Sequence, residues 1–257
     1  MSWQNLKLGR EDRVGWIEYQ HPPVNAVTWD MLREIPAALD SLLADADVRV
    51  IVFASAIEKY FSVGADLKLF DGLGQDGMRQ WMTLCHELVG KMRRSSKPLL
   101  AAIHGTAVGA GFEAVLHCDV RFAASDARIG QPEVNIGLLP GVGTTQALAR
   151  LIGRPRAIRL LYEGALVSAQ EAAAMGLVDV VHPRERLRAE VQRYAGALAA
   201  KPAKCLAAIR QTITLGGSLP FDEGLKIEFD AEVELAGTRD FEEGIRAFLE
   251  KRPPRWE

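Results

Sequence analysis

Short apolar runs and longer helical alternations take turns along the first half of the chain. Val14-Gly15-Trp16-Ile17-Glu18-Tyr19 reads as a strand that stops at His21-Pro22-Pro23. From about Thr28 to Leu43 apolar residues recur at helical spacing, with Thr28 placed to cap the helix and Asp30 to meet its positive end. Arg49-Val50-Ile51-Val52-Phe53-Ala54 predicts a second, more buried strand. The glycine-rich stretch Asp71 to Gly77 precedes a helix reaching about Met92, and the runs Pro98 to Ile103 and Asp119 to Ala123 predict two more strands. Strands alternating with helices need crossover connections and favour parallel pairing. Beyond about residue 143 strand signals nearly vanish. Segments 144–151, 155–161, 169–175, 185–200, 202–215, 221–235 and 241–251 have helical character, and Pro155 and Pro202 stand where a first helical turn accepts proline. The prediction is an α/β fold with a helical C-terminal part, without a sequence repeat or a low-complexity linker. Such apolar terminal helices pack either on the core or on another subunit.

Composition narrows the class more than the chemistry. The 257 residues can bury a substantial core as one large domain or two small ones, and 48% hydrophobic with 25% charged residues is ordinary for a soluble protein. A formal net charge of -2 gives no general attraction to nucleic acid or membrane. Cys85, Cys118 and Cys205 are scattered and odd in number, which predicts buried thiols in a reducing compartment rather than disulfides or a metal site. Met1-Ser2-Trp3-Gln4 runs into mixed polar sequence without a basic and apolar leader, and no apolar run has the roughly 20 residues that cross a bilayer. The expectation is a soluble, cytoplasmic protein.

The candidate chemistry lies in two glycine-flanked glutamates. Strand 98–103 leads through Gly105 to Gly109-Ala110-Gly111-Phe112-Glu113 and then an apolar run to Cys118, a strand feeding a glycine turn that opens a helix. Free N–H groups at such a start can bind developing negative charge, and Glu113 would sit in the first turn beside them. The bland alternative is a glutamate that only offsets the helix dipole. The spacing of Gly105, Gly109 and Gly111 also looks like that of short-chain dehydrogenases. That family's Tyr-x-x-x-Lys pair is missing, since the residues four after Tyr19, Tyr60, Tyr162 and Tyr194 are Pro23, Gly64, Leu166 and Leu198. A second glycine turn, Phe61-Ser62-Val63-Gly64-Ala65-Asp66-Leu67-Lys68, follows strand 49–54 and offers the N–H of Ala65; with Ala110 that makes two donors from separate loops, as an oxyanion hole requires. Glu133 lies in Gly130-Gln131-Pro132-Glu133, within an apolar flank of Ile129, Val134, Ile136, Leu138 and Leu139 that would bury it and raise its pKa.

Other residues carry less. His21, His86, His104, His117 and His182 show no metal-ligand spacing, no serine sits in a G-x-S-x-G elbow, and no cysteine is flanked like a nucleophile. The basic run Lys91 to Lys97 reads as a solvated helix end with a phosphate contact as the lesser alternative, and the tail Lys251 to Trp256 as an anion contact at a subunit boundary or a frayed end.

Taken in order, these segments resemble the enoyl-CoA hydratase/isomerase (crotonase) superfamily over nearly the whole chain. Pro22-Pro23-Val24-Asn25-Ala26 resembles its early turn, Phe61 to Lys68 its first oxyanion loop, Lys97 to Asp119 its second loop and helix, Gly130 to Gly141 its second catalytic segment, and Gly237 to Trp256 its closing helix. The resemblance implies a spiral of ββα turns, with residues 1–195 as a core domain holding the site and 196–257 as a helical region packing on the core and on neighbouring subunits, usually in a trimer or dimer of trimers. It implies an acyl-CoA thioester as substrate, coenzyme A being part of that substrate with no resident cofactor and no metal. Its carbonyl oxygen would bind the N–H groups of Ala65 and Ala110, while Ala26, Asp66, Leu67, Lys68, Gly141 and, across a subunit boundary, Lys251 would contact the substrate or its CoA part. Hydratases of the family carry glutamates matching Glu113 and Glu133, which implies syn addition of water to a trans-2-enoyl-CoA; a Δ3,Δ2-enoyl-CoA isomerase and a non-catalytic CoA-thioester binder are the alternatives. Gly141 stands where dienoyl-CoA isomerases have aspartate. The chain departs from the pattern at Pro22-Pro23-Val24, Phe112, Ala110 and Glu232, and in the acyl-facing segment Phe70 to Leu84 with Trp81 and Met82, which implies an altered acyl or CoA pocket.

Overall fold

Three successive stretches of the chain repeat one order of elements: a strand, a shorter second strand, then a helix. A computed structural model describes residues 3–257; Met1 and Ser2, part of the opening read above as lacking a leader, lie outside the described residues. An antiparallel hairpin, β1 (Leu6–Glu11) and β2 (Val14–Tyr19), leads to the short β3 (Ala26–Val27) and to α1 (Trp29–Ala44). The first repeat is β4 (Val50–Ser55), β5 (Tyr60–Ser62) with the short β6 (Gly64–Ala65), and α2 (Gly74–Arg93). The second is β7 (Leu99–Ile103), β8 (Thr106–Val108) and α3 (Ala110–Val115). The third is β9 (Val120–Ala124), β10 (Arg128–Gly130), a 3-10 turn at Glu133–Ile136 and α4 (Thr144–Ile152). Then come α5 (Arg154–Glu163), β11 (Leu166–Ser168), α6 (Ala169–Met175), β12 (Val180–His182), α7 (Arg184–Ala199), α8 (Ala203–Gln211), α9 (Phe221–Ala236) and α10 (Arg239–Leu249).

The first strands of the repeats join one six-stranded sheet in the order β1-β2-β4-β7-β9-β12, parallel except for β1. The second strands stack in a four-stranded sheet, β11-β10-β8-β5, again parallel except at its edge strand β11. This is the expected spiral of ββα turns. Parallel stacking brings the loops after β5, β8 and β10 to one side, outside the carboxyl ends of the strands, where open α/β sheets place ligands.

The six-stranded sheet is the centre of the core. Every residue of β2 and of β7 is buried, and α7 packs across β2, β4, β7, β9 and β12 through Leu187, Val191, Ala195 and Ala199. Helix α1 buries Met31, Leu32, Ile35, Ala38, Leu39 and Leu42, one stripe of a 3.6-residue period, and Thr28 caps it by accepting from the Met31 N–H at 3.2 Å. Asn25, fully buried with φ 53°, reaches the Ser55 hydroxyl at 2.8 Å and the Phe61 carbonyl at 2.9 Å and so ties three strand ends together.

The structure adds what the sequence pattern omitted. β1, the whole second sheet and β12 are strands, so strand structure does continue past residue 143, in three-residue pieces too short for an alternation to register. The glycine stretch 71–77 is already helical from Gly74, the helix expected over 202–215 ends at Gln211 with a π turn over Thr212–Gly216, and α10 begins at Arg239 behind a Thr238 cap. The basic run is only partly solvated: Arg94 is exposed, while its other cations have partners in the chain. Lys91 pairs with Asp40, Lys97 donates to the Leu42 and Asp45 carbonyls at 2.7 and 2.6 Å, and Arg93 donates to the Thr214 carbonyl at 2.6 Å. The tail is not frayed, since Arg252 forks onto Glu243 at 2.7 and 2.9 Å and Trp256 lies against Gly244.

The C-terminal helices hold to the core through one buried cation. Arg210 of α8 donates to Asp119 at 2.8 Å and to the carbonyls of Met92, Arg93 and Ser95 at 2.8, 3.1 and 2.9 Å. By contrast α9 buries no residue, and Phe221, Phe229, Val233, Phe248 and Leu249 are all exposed. Cys85 and Cys118 are buried free thiols and Cys205 is a half-buried one. Among the described residues no helix is long and apolar enough to cross a membrane.

Candidate active site

The loops after β5, β8 and β10 enclose a cavity of ≈ 240 Å³. Its walls include Ala65, Ala110, Glu113, Glu133, Leu67 and Gly141, six of the residues singled out from sequence, together with Phe70, Met78, Trp81, Met82 and Leu139.

Ala65 and Ala110, the two expected backbone donors, both line it. Val27 of β3 pairs in parallel register with Ala65, and its carbonyl accepts from the Asp66 N–H at 3.0 Å. A parallel ladder bonds the residues flanking Ala65 and turns the Ala65 N–H itself away from β3. Ala110 opens α3, where the first N–H groups have no partner within the helix. The loops carrying the two donors abut. Gly64 has φ 87°, and a Cβ on it would stand 3.4 Å from the Ala110 nitrogen and 3.1 Å from the Val108 carbonyl. The Ser62 hydroxyl fastens the first loop by donating to the Asn25 carbonyl at 2.7 Å and accepting from the Gly64 N–H at 3.2 Å.

Glu113 is buried, 3% exposed, with one carboxylate oxygen accepting from the Val142 N–H at 2.8 Å and the Thr144 hydroxyl at 2.7 Å. Burial pushes its pKa up to about 8 and the Glu133 charge adds to the rise, while the two hydrogen bonds pull it down. Glu133 is half-buried and raised as well, again by burial, and its Oε2 is shielded from solvent with no partner. The sequence pattern anticipated a raised Glu133; the larger rise falls on Glu113, the more deeply buried of the two, in spite of its two loop donors. Gly109, at φ 52°, explains the glycine beside the acids, since a Cβ there would stand 2.7 Å from Glu133 Oε1.

The remaining expected contacts divide. Ala26 pairs with Gly64, one residue behind the Ala65 donor, and Asp66 caps the 3-10 turn Leu67–Phe70 by accepting from the Lys68 N–H at 3.1 Å, with the Lys68 side chain exposed. Lys251, exposed beyond α10 with φ 55°, does not line the cavity of its own chain. Phe112 is fully buried in the core, and Glu232 lines a separate hollow with Cys205 and Phe241. Trp81 and Met82 do line the cavity of the two glutamates: Trp81 meets Trp29 and Phe70 edge-on at 5.1 Å, and Met82 lies against Gly141, where a Cβ would come within 2.7 Å of the thioether sulfur. An aspartate at 141 would have to displace Met82. The residues that sequence reasoning missed are Val142, Thr144, Asn25 and Ser62. The doubled glycine in Gly141-Val142-Gly143-Thr144 was the available signal for the first two.

The fold is thus a ββα spiral whose loops set two glutamates on one apolar cavity. A family model described as enoyl-CoA hydratase/isomerase matches residues 9–257, and the chain belongs to that family. It is 34% identical over 253 residues to the crotonyl-CoA hydratase of Syntrophomonas wolfei, covering 98% of this chain and 97% of that protein. It is 31% identical over 253 residues to the short-chain-enoyl-CoA hydratase of Clostridium acetobutylicum, covering 98% and 97%. A crystal structure of an enoyl-CoA hydratase from Geobacillus kaustophilus superimposes with a TM-score of 0.97 at 34% identity, covering 100% of this chain and 98% of that one.

Proposed function

We propose that the protein adds water reversibly and syn across the double bond of a trans-2-enoyl-CoA, giving a 3-hydroxyacyl-CoA. The observation carrying this reading is the pair Glu113 and Glu133 on one apolar cavity beside the N–H groups of Ala65 and Ala110. The thioester oxygen accepts from both N–H groups, and these fixed dipoles stabilise the enolate charge that develops on it. Water oxygen bonds to C3 and passes a proton to Glu113, whose other oxygen is held by Val142 and Thr144. Glu133 delivers its proton to C2 as the C2–C3 π bond breaks, so the pair carries one proton before and after the step. The larger rise at Glu113 holds that proton mainly there in the resting pair, and the reacting form is the one with the proton on Glu133 and Glu113 ionised on its two loop donors. Two like-charged carboxyls in a buried site retain such a proton near neutral pH.

The walls of Phe70, Met78, Trp81, Met82 and Leu139 suit an aliphatic acyl group. Ala26 and Lys68, beside the Ala65 loop, are assigned to the CoA part, and Lys251 to a neighbouring subunit's substrate. Residues 1–195 form the site-bearing domain in this reading, and 196–257 pack on it and on neighbours in a homotrimer or dimer of trimers. The protein is soluble and cytoplasmic, and coenzyme A enters only with the substrate.

Loss of the ultraviolet absorbance of crotonyl-CoA tests the reading. Glu113→Gln and Glu133→Gln should each lower kcat/KM by about 10²–10⁴-fold. Turnover of a 3-enoyl-CoA that survives in Glu113→Ala and vanishes in Glu133→Ala would instead establish an isomerase, which needs a single base. Binding of acyl-CoAs without turnover at any chain length would establish a binder.

A further inference from the structure

Glu113 is only as well aimed as the loop that holds it, and a histidine from the turn that ends its helix grips that loop. His117 lies four residues beyond Glu113, in the turn that follows α3, where its N–H donates to the Ala114 carbonyl at 3.2 Å, and both side chains reach the same residue of the 141–144 loop. Glu113 Oε2 accepts from the Val142 N–H at 2.8 Å, and His117 Nε2 stands 2.8 Å from the Val142 carbonyl oxygen. A carbonyl can only accept, so Nε2 carries the hydrogen. One peptide residue is thereby held at both its ends by Glu113 and His117. Gly143 follows with φ 72°, and a Cβ there would stand 3.1 Å from both Cε1 and Nε2 of the imidazole, so the ring and the loop are in close contact. A second imidazole, the exposed His86 of α2, lies 3.1 Å from the Gly141 carbonyl.

We propose that His117 is a positioning residue: as a neutral donor to the Val142 carbonyl, it fixes residues 141–144 so that the Val142 N–H and the Thr144 hydroxyl remain on the Glu113 carboxylate. His86 steadies the preceding carbonyl. The proposal rests on the reading of Glu113 as the group that activates water, and nothing in the composition of the segment made His117 more than a structural histidine.

The surroundings of both groups fit these roles. Burial holds the His117 pKa below its usual value, and Arg93 from α2 and Arg121 from β9 act in the same direction, so the ring stays neutral near pH 7. Glu113 faces Glu133 across the cavity, the Cys85 thiol from α2 and the two donors from the loop. The thiol's own pKa is pushed up to about 12 by burial, so it contributes no charge near neutral pH. Only the loop donors favour the ionised carboxylate. Losing them raises the Glu113 pKa further, a consequence that a merely space-filling His117 would not share.

The test uses the full-length protein with ¹³C-labelled glutamate carboxyls, assigned with Glu113→Gln, and compares His117→Leu with His117→Gln, whose side-chain amide can still donate to the Val142 carbonyl. In His117→Leu the Glu113 titration should move upward by about one pH unit. Its kcat for crotonyl-CoA should fall roughly ten- to hundredfold with KM nearly unchanged. His117→Gln should restore both. If His117→Leu does not fold, His117→Met makes the same deletion with a side chain that fills irregular space. An unchanged Glu113 titration in the apolar variant, or an equal defect in His117→Gln, overturns the proposal. A wild-type protein inert towards crotonyl-CoA would remove the hydratase reading, while the titration of the ligand-free protein still decides the role of His117.

Discussion

The two ends of the chain solve burial in opposite ways. Around the six-stranded sheet, β2 and β7 hide every residue, and the polar groups that go inside with them are mostly bonded: Asn25, Ser62, Thr144 and one edge of Glu113. The C-terminal helices leave Phe221, Phe229, Val233 and Phe248 in solvent, and α9 hides no side chain at all. A helix that is stable only through an apolar face, with that face uncovered, is half of a structure. The spiral buries its apolar residues within one chain; the helical end leaves its own in solvent, and copies of the same chain are proposed above to cover them.

That contrast predicts separable failures. The largest effect should come from Arg210→Met, which joins the two regions: it strips the Met92, Arg93 and Ser95 carbonyls and Asp119 of their partner at once. Breaking a buried pair costs about 3–5 kcal/mol, and calorimetry should show a correspondingly lower Tm for the whole chain. Gly109→Ala should damage the core site alone. Its Cβ would contact Glu133 Oε1, so kcat should fall about 10²-fold while circular dichroism stays native. Phe229→Glu together with Phe248→Glu should act only at the other end, converting an assembly to single chains in sedimentation while the spiral remains folded. An assembly that survives both charges would refute a contact through this face.

The smallest predicted effects are those of pH. Activity should follow a bell, because the pair needs one proton: below its lower apparent pKa neither carboxyl can accept, and above its upper one, near the value of about 8 for Glu113, neither can donate. Stability follows a different rule. Glu113 binds its proton more tightly folded than unfolded, so its contribution is fully present below about pH 4.5 and is lost as pH rises towards 8. In Glu113→Gln that part of the slope should disappear from a series of Tm measurements, leaving the variant the more stable protein at pH 8 and above.

Much of this was legible in the chain itself. The Thr28 cap, the buried runs 50–54 and 99–103, the glycine turns around Ala65 and Ala110 and both glutamates needed only local chemistry to find. The second sheet did not announce itself because its strands have three residues each, and their order comes from stacking between repeats that share no sequence. The place of Phe112 needed the helix itself: neighbours in a helix point about 100° apart, so the residue beside Glu113 is buried in the core while Glu113 lines the cavity. Which of the two acids is better sheltered depended on Val142 and Thr144, far along the chain, and no local pattern around Glu113 carries that information.

The cavity is also bounded by Met78 and Met82, unbranched thioethers on a half-buried stretch of α2, of which Met82 leans on Gly141. Thioether side chains change shape at little cost and tolerate replacement. Natural variation therefore has an unequal landscape here: exchanges at Met78 resize the space for the acyl chain without touching the reacting groups, whereas exchanges at Gly109 or Thr144 abolish the chemistry first. Descendants of such a scaffold would diverge in diet long before they diverged in reaction.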